Sequence, residues 1–206
     1  MKKIKKTLIF LLPLLSFILS VCVYASCVTR DVSGCVIRFH VKANSDAPYD
    51  QSVKLAVRDE VLRFISPALK NSKSISESYI ILEENLSEIE KVSNNLLKKY
   101  NTGYRAKASL LKKSFPTKTY GNITLPAGKY DSLCIDLGDA NGENWWCVMF
   151  PPLCFNNSTI SIDEDAKNYL ENNLNADTFA IINTNEENFT TVYRFKIFDY
   201  ISSILN

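Results

Sequence analysis

The sequence predicts an α+β domain, with two or three helices packed on one face of a mainly antiparallel sheet. Three observations predict it. A short stretch, VIRFHVK, alternates apolar and polar residues; two long stretches then place apolar residues three and four apart; and three strand-like stretches follow, separated by Gly, Pro and Asn/Asp turns. The chain has 206 residues, 46% apolar and 22% charged, which is enough to bury one core of ordinary size. It contains no internal repeat.

Residues 1–25 have the layout of an export signal: MKKIKK carries four lysines, residues 8–23 are almost wholly apolar, and Val23-Tyr24-Ala25 offers compact side chains before a cut at Ser26. The uncharged run is close to bilayer-spanning length, so an uncleaved anchor is the second reading. A lipoprotein-type modification at Cys27, after Tyr24-Ala25-Ser26, is a poorer third. Each of these puts the remainder outside the cytoplasm. Loss of the signal removes four lysines and no acid, taking the formal charge from +2 to −2. The basicity therefore belongs to the signal, and a domain without a Lys/Arg cluster is not expected to bind nucleic acid.

Residues 26–155 are expected to form the domain. In VIRFHVK, Ile37, Phe39 and Val41 face a core while Arg38, His40 and Lys42 fall on the polar side of a half-buried strand. Ser45-Asp46-Ala47-Pro48 opens a helix, because a capping side chain precedes a proline that the first turn tolerates. Val53, Val57, Val61 and Phe64 mark its apolar face, backed by Leu55, Leu62 and Leu69, with Lys54, Arg58 and Arg63 on the polar side. It should bend or end near Ser66-Pro67. A second helical region begins at the capping box Ser74-Ile75-Ser76-Glu77, and a second such box, Ser87-Glu88-Ile89-Glu90, is placed to split it. Its stripe, Ile75 to Leu96, reads as core rather than coiled coil, since Ser93 interrupts it.

The strand-like stretches are residues 104–115, 119–138 and 144–150, with Pro126-Ala127-Gly128 read as a tight hairpin. Residues 156–206 form a C-terminal segment that packs on the domain, partly as loop, with one helix near residues 163–172 and an apolar stretch at 192–205.

Little here points to catalysis. His40 is the only histidine, and nothing beside it in sequence makes it a base or a ligand. A Cys-His hydrolase would need Cys147 or Cys154 as thiolate with His40 and Asp46, yet the Pro151-Pro152 step lacks the N–H donors of an oxyanion hole. Cys147 and Cys154 are spaced for a disulfide across that step, with two buried thiols as the other reading; the spacing does not suit a metal site, and no cofactor is expected. With Cys22 lost in the signal, five cysteines remain, so at least one is unpaired or pairs between chains. Trp145 and Trp146 are neighbours on a strand and must face opposite sides. Either some of this aromatic surface is a recognition patch, or a second core lies on the far side of the sheet.

Three blocks together resemble the stage II sporulation protein R family: IRFHVKANSDAPYDQSVKLAVRDEVL, FPTKTYGNITLPAGKYDSL and NWWCVMFPPLCF, in that order. The resemblance covers residues 37–155. It implies an exported signalling protein of endospore formation, acting between forespore and mother cell. Its partner would be a membrane-embedded aspartic protease that processes the mother-cell pro-sigma factor, so the proteolytic chemistry would be the partner's. The resemblance transfers no catalytic residues. By residue type, the expected contacts are His40, Asn44, Asp46, Arg58 and Asp59 around the first strand-to-helix junction, and Trp145, Trp146, Pro151, Pro152 and Phe155 in the aromatic loop; the other reading makes Asn44 and Asp46 only caps and Arg58 with Asp59 only a solvated face.

Overall fold

The computed structural model describes residues 2–153 and 164–183. In chain order the elements are α1 (Lys2–Ser33), β1 (Ile37–Lys42), α2 (Pro48–Leu69), α3 (Ile75–Glu84), α4 (Leu86–Lys99), β2 (Ala106–Phe115), β3 (Lys118–Tyr120), β4 (Ile123–Leu125), β5 (Gly128–Leu137), β6 (Asn144–Phe150), α5 (Glu164–Asn173) and α6 (Ala176–Ile182). Four strands make the main sheet in the order β2-β5-β1-β6, and β3 and β4 form a separate two-stranded hairpin. β1 runs parallel to β5 and antiparallel to β6, while β2 and β5 pair antiparallel along their whole length. The fold is the expected α+β domain with a mostly antiparallel sheet.

One face of the sheet carries the helical layer. Phe39 and Val41 of β1, Leu133 and Ile135 of β5, and Cys147 and Met149 of β6 pack under Val53, Val57, Val61 and Ile65 of α2 and Ile89 and Leu97 of α4. The helical periodicity of the sequence is what aligns these side chains. Two side chains of α2 differ from expectation. Lys54 is buried, its ammonium donating to the Glu143 carbonyl (3.1 Å) and to Gln51 Oε1 (2.6 Å), whereas Leu55 is exposed. α2 ends near Ser66-Pro67 as expected, with Pro67 inside the helix and the last helical residue at Leu69. Ser74 caps α3 by accepting the Glu77 N–H (3.2 Å), and Glu77 Oε2 accepts the Lys73 N–H (2.9 Å). The break between α3 and α4 falls at Asn85, just before the second capping box. Ser93 is buried and satisfies its hydroxyl on the Ile89 carbonyl (2.8 Å), as a core position requires.

The opposite face is not solvent. A second core joins Val28 and Val32 of α1, Val36, Phe115, Ile123 and Leu125 of the hairpin, Tyr130, Val148, and Leu170 and Ile182 of the last helices. The polar side expected for β1 is therefore corrected: Arg38 and His40 are both 0% exposed. Alternation still holds, but each face of this central strand meets its own core. The hairpin expected at Pro126-Ala127-Gly128 is also corrected. β4 pairs with β3, not with β5, and the reversal lies between Tyr120 and Ile123, where Gly121 takes φ +54. The C-terminal helix arrives as expected in α5, and the stretch at 192–205 lies outside the described residues.

At β2, α4 supplies hydrogen bonds to the strand edge: Asn94 Oδ1 accepts the Ala106 N–H (3.0 Å), Asn94 Nδ2 donates to the Ala106 carbonyl (3.0 Å) and Glu90 Oε2 accepts the Ala108 N–H (3.0 Å). These contacts occupy backbone groups that would otherwise template a further strand. Asn94→Ala should leave both Ala106 groups unpaired and cost about 1–3 kcal/mol of unfolding free energy. Urea unfolding of the variant checks this, and a value within error of the parent would remove α4 as the edge cap.

Candidate functional site

The expected contact residues separate into three clusters. The first joins the end of β1 to the β5–β6 turn. Asn44 Nδ2 donates to Asp50 Oδ2 (2.8 Å), Asn44 Oδ1 accepts the Asp139 N–H (2.9 Å) and Asp46 Oδ1 accepts the Glu143 N–H (2.7 Å). The Asn141 and Gly142 N–H groups donate to the Asn44 and Ala43 carbonyls (both 3.0 Å). The two loops lie so close that a Cβ on Gly142 would sit 2.2 Å from the Ser45 carbonyl oxygen. Asp50 is the hub, accepting also from Ser45 Oγ (2.6 Å) and Tyr104 OH (2.7 Å). Burial raises its pKa, but the hydrogen bonds from Ser45, Asn44 and Tyr104 outweigh burial and hold the carboxyl below its usual range. Burial and the Asp50 carboxylate push the Tyr104 phenol upward. Asn44 and Asp46 thus lock two loops together. Asp50 and Tyr104 were missed in the sequence: Asp50 reads there as an ordinary first-turn acid, and Tyr104 lies far away along the chain.

The second cluster lies beside β6 on the helical face. Trp145 is half-buried, edge-on to Phe39 with ring centroids 5.6 Å apart. The Arg58 guanidinium stacks 5.0 Å above the Trp145 ring and pairs with Asp59 Oδ1 at 2.6 Å. Residues from two distant blocks of sequence thereby form one surface: an aromatic ring under a cation, with a carboxylate that is 48% exposed beside it.

The third cluster is on the opposite face. The Trp146 ring stacks on His40 at 4.2 Å and meets Phe115 edge-on at 4.7 Å. His40 Nδ1 is 3.0 Å from Lys113 Nζ and Nε2 is 2.7 Å from Asn144 Oδ1. An ammonium only donates, so Nδ1 accepts, and the imidazole is neutral with its proton on Nε2, donated to Asn144. Burial comes first in lowering the His40 pKa to about 4; Lys113 and Lys42 add to it, and Asn144 and Asp136 oppose it. His40 is therefore interior, while Trp146, half-buried like Trp145, packs its ring against the second core at the surface. Of the remaining expected contacts, Pro151 is buried and Pro152 half-buried at the end of β6, while Phe155 lies outside the described residues.

The thiol chemistry that the sequence allowed for Cys147 is not assembled. Cys147 is disulfide-bonded, and its side chain belongs to the helical core whereas His40 belongs to the other face. Cys154, its expected partner, lies outside the described residues. Cys22, Cys27, Cys35 and Cys134 are free. Burial raises the Cys134 pKa, which works against a thiolate on the strand beside His40. Among the described residues no group of His, Cys, Asp and Glu is arranged to hold a metal.

Residues 33–160 match the family described as stage II sporulation protein R, a span that includes the whole main sheet and all three clusters. The stage II sporulation protein R of Bacillus subtilis (strain 168) is 41% identical over 119 residues, 58% of this chain and 53% of that relative. The chain thus matches about half the length of that relative. No solved structure matches.

The pH dependence of folding follows from His40. Its native pKa lies below its unfolded value of 6.5, so between about 6.5 and 4 the unfolded chain binds a proton that the native chain does not. This contribution is fully present above pH 6.5 and is lost on acidification, at up to about 1.4 kcal/mol per pH unit. Unfolding free energy should fall by about 2 kcal/mol from pH 7 to pH 5, and His40→Gln should lack that slope. The chain has one histidine, so its imidazole NMR signal reads the group directly; titration near 6.5 would refute the buried neutral ring.

Proposed function

This chain belongs to the stage II sporulation protein R family, and on that premise we propose that it is an exported signalling protein of sporulation that activates a membrane-embedded aspartic protease. That protease in turn processes the mother-cell pro-sigma factor. The observation that carries the contact surface is the stacking of Arg58 on half-buried Trp145 with Asp59 alongside, at the outer strand of the described sheet. A ring anchored in a core, with a cation and a carboxylate at its rim, is the kind of site that holds a partner through one aromatic and selects it through charge. The N-terminal apolar helix is compatible with export, since it is long and apolar enough to cross a membrane.

The physical action is a population shift. The ligand binds the competent state of the protease better than its resting state, and a tenfold gain in active protease needs about 1.4 kcal/mol of differential binding. Truncation of one buried aromatic at an interface commonly costs that much or more. Trp145 with Arg58 is therefore sufficient to carry the signal without any chemistry in the ligand itself. The second reading drawn from the sequence, an exported thiol hydrolase, is left without its Cys147 nucleophile by the disulfide.

Reconstitution tests the proposal. The chain is co-expressed with the protease and its pro-sigma substrate in a non-sporulating host, and pro-sequence cleavage is followed by immunoblot. Trp145→Ala and Arg58→Glu, checked for folding and export, should each lower cleavage about tenfold or more, while Lys112→Glu at the far edge should not. Full cleavage with both variants would overturn the assigned surface. Cleavage without the chain would overturn its role as activator.

A further inference from the structure

The second core covers one half of its sheet face. Phe115, Tyr130 and Val148 lie toward the start of β1, under α1, the hairpin and the last helices. At the other end of β1 the register sets one row across all four strands. Lys107 of β2 is opposite Asp136 of β5, Asp136 is opposite Lys42 of β1, and Lys42 is opposite Asn144 of β6. Alternation puts these side chains on the face of His40, and not on that of the helical layer. Lys107 and Asn144 are exposed, and Lys42 and Asp136 are half-buried. In the next row Trp146 lies beside His40, whose Nδ1 is the point to which Lys113 brings a third ammonium.

The charges of this patch are not matched to one another. Among the described residues, Lys42 and Lys107 make no ion pair, although each has Asp136 directly across from it, and Lys113 donates to a neutral ring. Asp136 Oδ1 is buried and accepts no hydrogen bond among the described residues. A buried acceptor left in this state is costly, and an occupant that brings a donor recovers the cost. Such an occupant needs an N–H or O–H for Asp136 and negative charge on both sides of it. An extended acidic peptide has both, because its backbone N–H groups lie between its side chains. Strands about 4.8 Å apart put the Lys107 and Lys42 backbones about 10 Å apart, a gap that carboxylates two or three positions apart span at about 3.3 Å per residue. Trp146 offers its ring to an apolar neighbour of those acids. A second copy of the row would set lysine against lysine, and a uniformly anionic membrane surface brings no donor to a carboxylate oxygen buried between two strands.

We propose that this half of the sheet face, centred on Lys107, Asp136 and Lys42, is a second docking surface that takes an extended acidic segment of a partner protein. Its lysines hold the carboxylates of that segment, and Asp136 accepts one of its N–H groups. Arg58 and Trp145 lie on the helical side of the sheet, so this surface is separate from the one assigned to protease contact and is read out without the protease.

The test is binding of a fluorescein-labelled peptide, with glutamates at alternate positions and a leucine beside them, to the full chain in non-ionic detergent. Anisotropy reads the affinity, and the imidazole NMR signal of His40, the one histidine of the chain, reads the place. Lys107→Glu should weaken binding about tenfold or more, whereas Lys112→Glu, the same charge change at the same sheet edge but on the helical side, should leave it unchanged. The His40 signal should move as the parent saturates. Asp136→Ala should also weaken binding, because an acceptor for the peptide is lost; tighter binding by this variant would show a carboxylate that only repels, and would overturn the proposal. Equal losses with Lys107→Glu and Lys112→Glu, or saturation without movement of the His40 signal, would reduce the effect to diffuse charge attraction and overturn the site. Binding to phosphatidylglycerol vesicles that Lys107→Glu abolishes, with no binding of the peptide, would assign the face to a membrane and overturn the peptide as its occupant.

Discussion

Everything in this domain depends on β1 having no outward face. It lies between β5 and β6, with the helical layer on one side and α1, the hairpin and the last helices on the other. That placement puts a guanidinium and an imidazole into the second core, and both need partners. Arg38 donates from Nε to the Cys147 carbonyl (3.2 Å) and from Nη2 to Tyr120 OH (3.1 Å), and its Cζ lies 4.6 Å from the Phe115 ring centre and 5.1 Å from that of Tyr130. Nη1 has no hydrogen-bond partner among the described residues. Burial lowers the Arg38 pKa, while the hydroxyl groups of Tyr120 and Tyr130 favour its charged form. The hairpin, which looks peripheral in the topology, is thus what closes the cage, because it brings Tyr120 over the arginine.

The same constraint sets the roles of the two tryptophans. Neighbours on β6 must point to opposite faces, and each face is a core. Trp146 is claimed by the second core through His40 and Phe115. Trp145 reaches the rim of the helical core, where α2 ends its coverage and Arg58 lies across the ring. The Asn44–Asp50–Asp46 network locks the first residues of α2 to the loop that leads into β6. The register between Arg58 and Trp145 is thereby set by contacts at one end of both elements.

The fold class, the helices and the strands were legible because each rests on local periodicity: Val53, Val57 and Val61 at helical spacing, Ile37, Phe39 and Val41 at spacing two. What periodicity could not show was the burial of the other side of β1. Arg38 and His40 are polar, and only the arrival of α1, Phe115 and the hairpin, all distant in sequence, makes their surroundings interior, while Lys42 at the end of the strand stays half-buried. The cap expected ahead of Pro48 is not made, since Ala47 is the N-cap of α2 and receives no side-chain cap; Asn44 and Asp46 instead bond Asp139 and Glu143, almost a hundred residues away. Gly142 gave no local sign of the close approach it permits. The pairing of β4 with β3 was missed because Pro126-Ala127-Gly128 carries the stronger turn signal, although Gly121-Asn122 makes the reversal. The two readings of the aromatic loop, surface or second core, each hold in part: Trp145 packs at the rim of the helical core and Trp146 at the rim of the second core, and both are half-buried.

A partner that reads the rim of the helical core must lie against α2 and β6. A photo-crosslinking residue at Asp59, which is 48% exposed, compared with one at Lys112, which is 70% exposed on the opposite edge, tests this most directly. The account predicts crosslinks to the membrane protease from position 59 and none from position 112. Crosslinks from position 112 alone would contradict it.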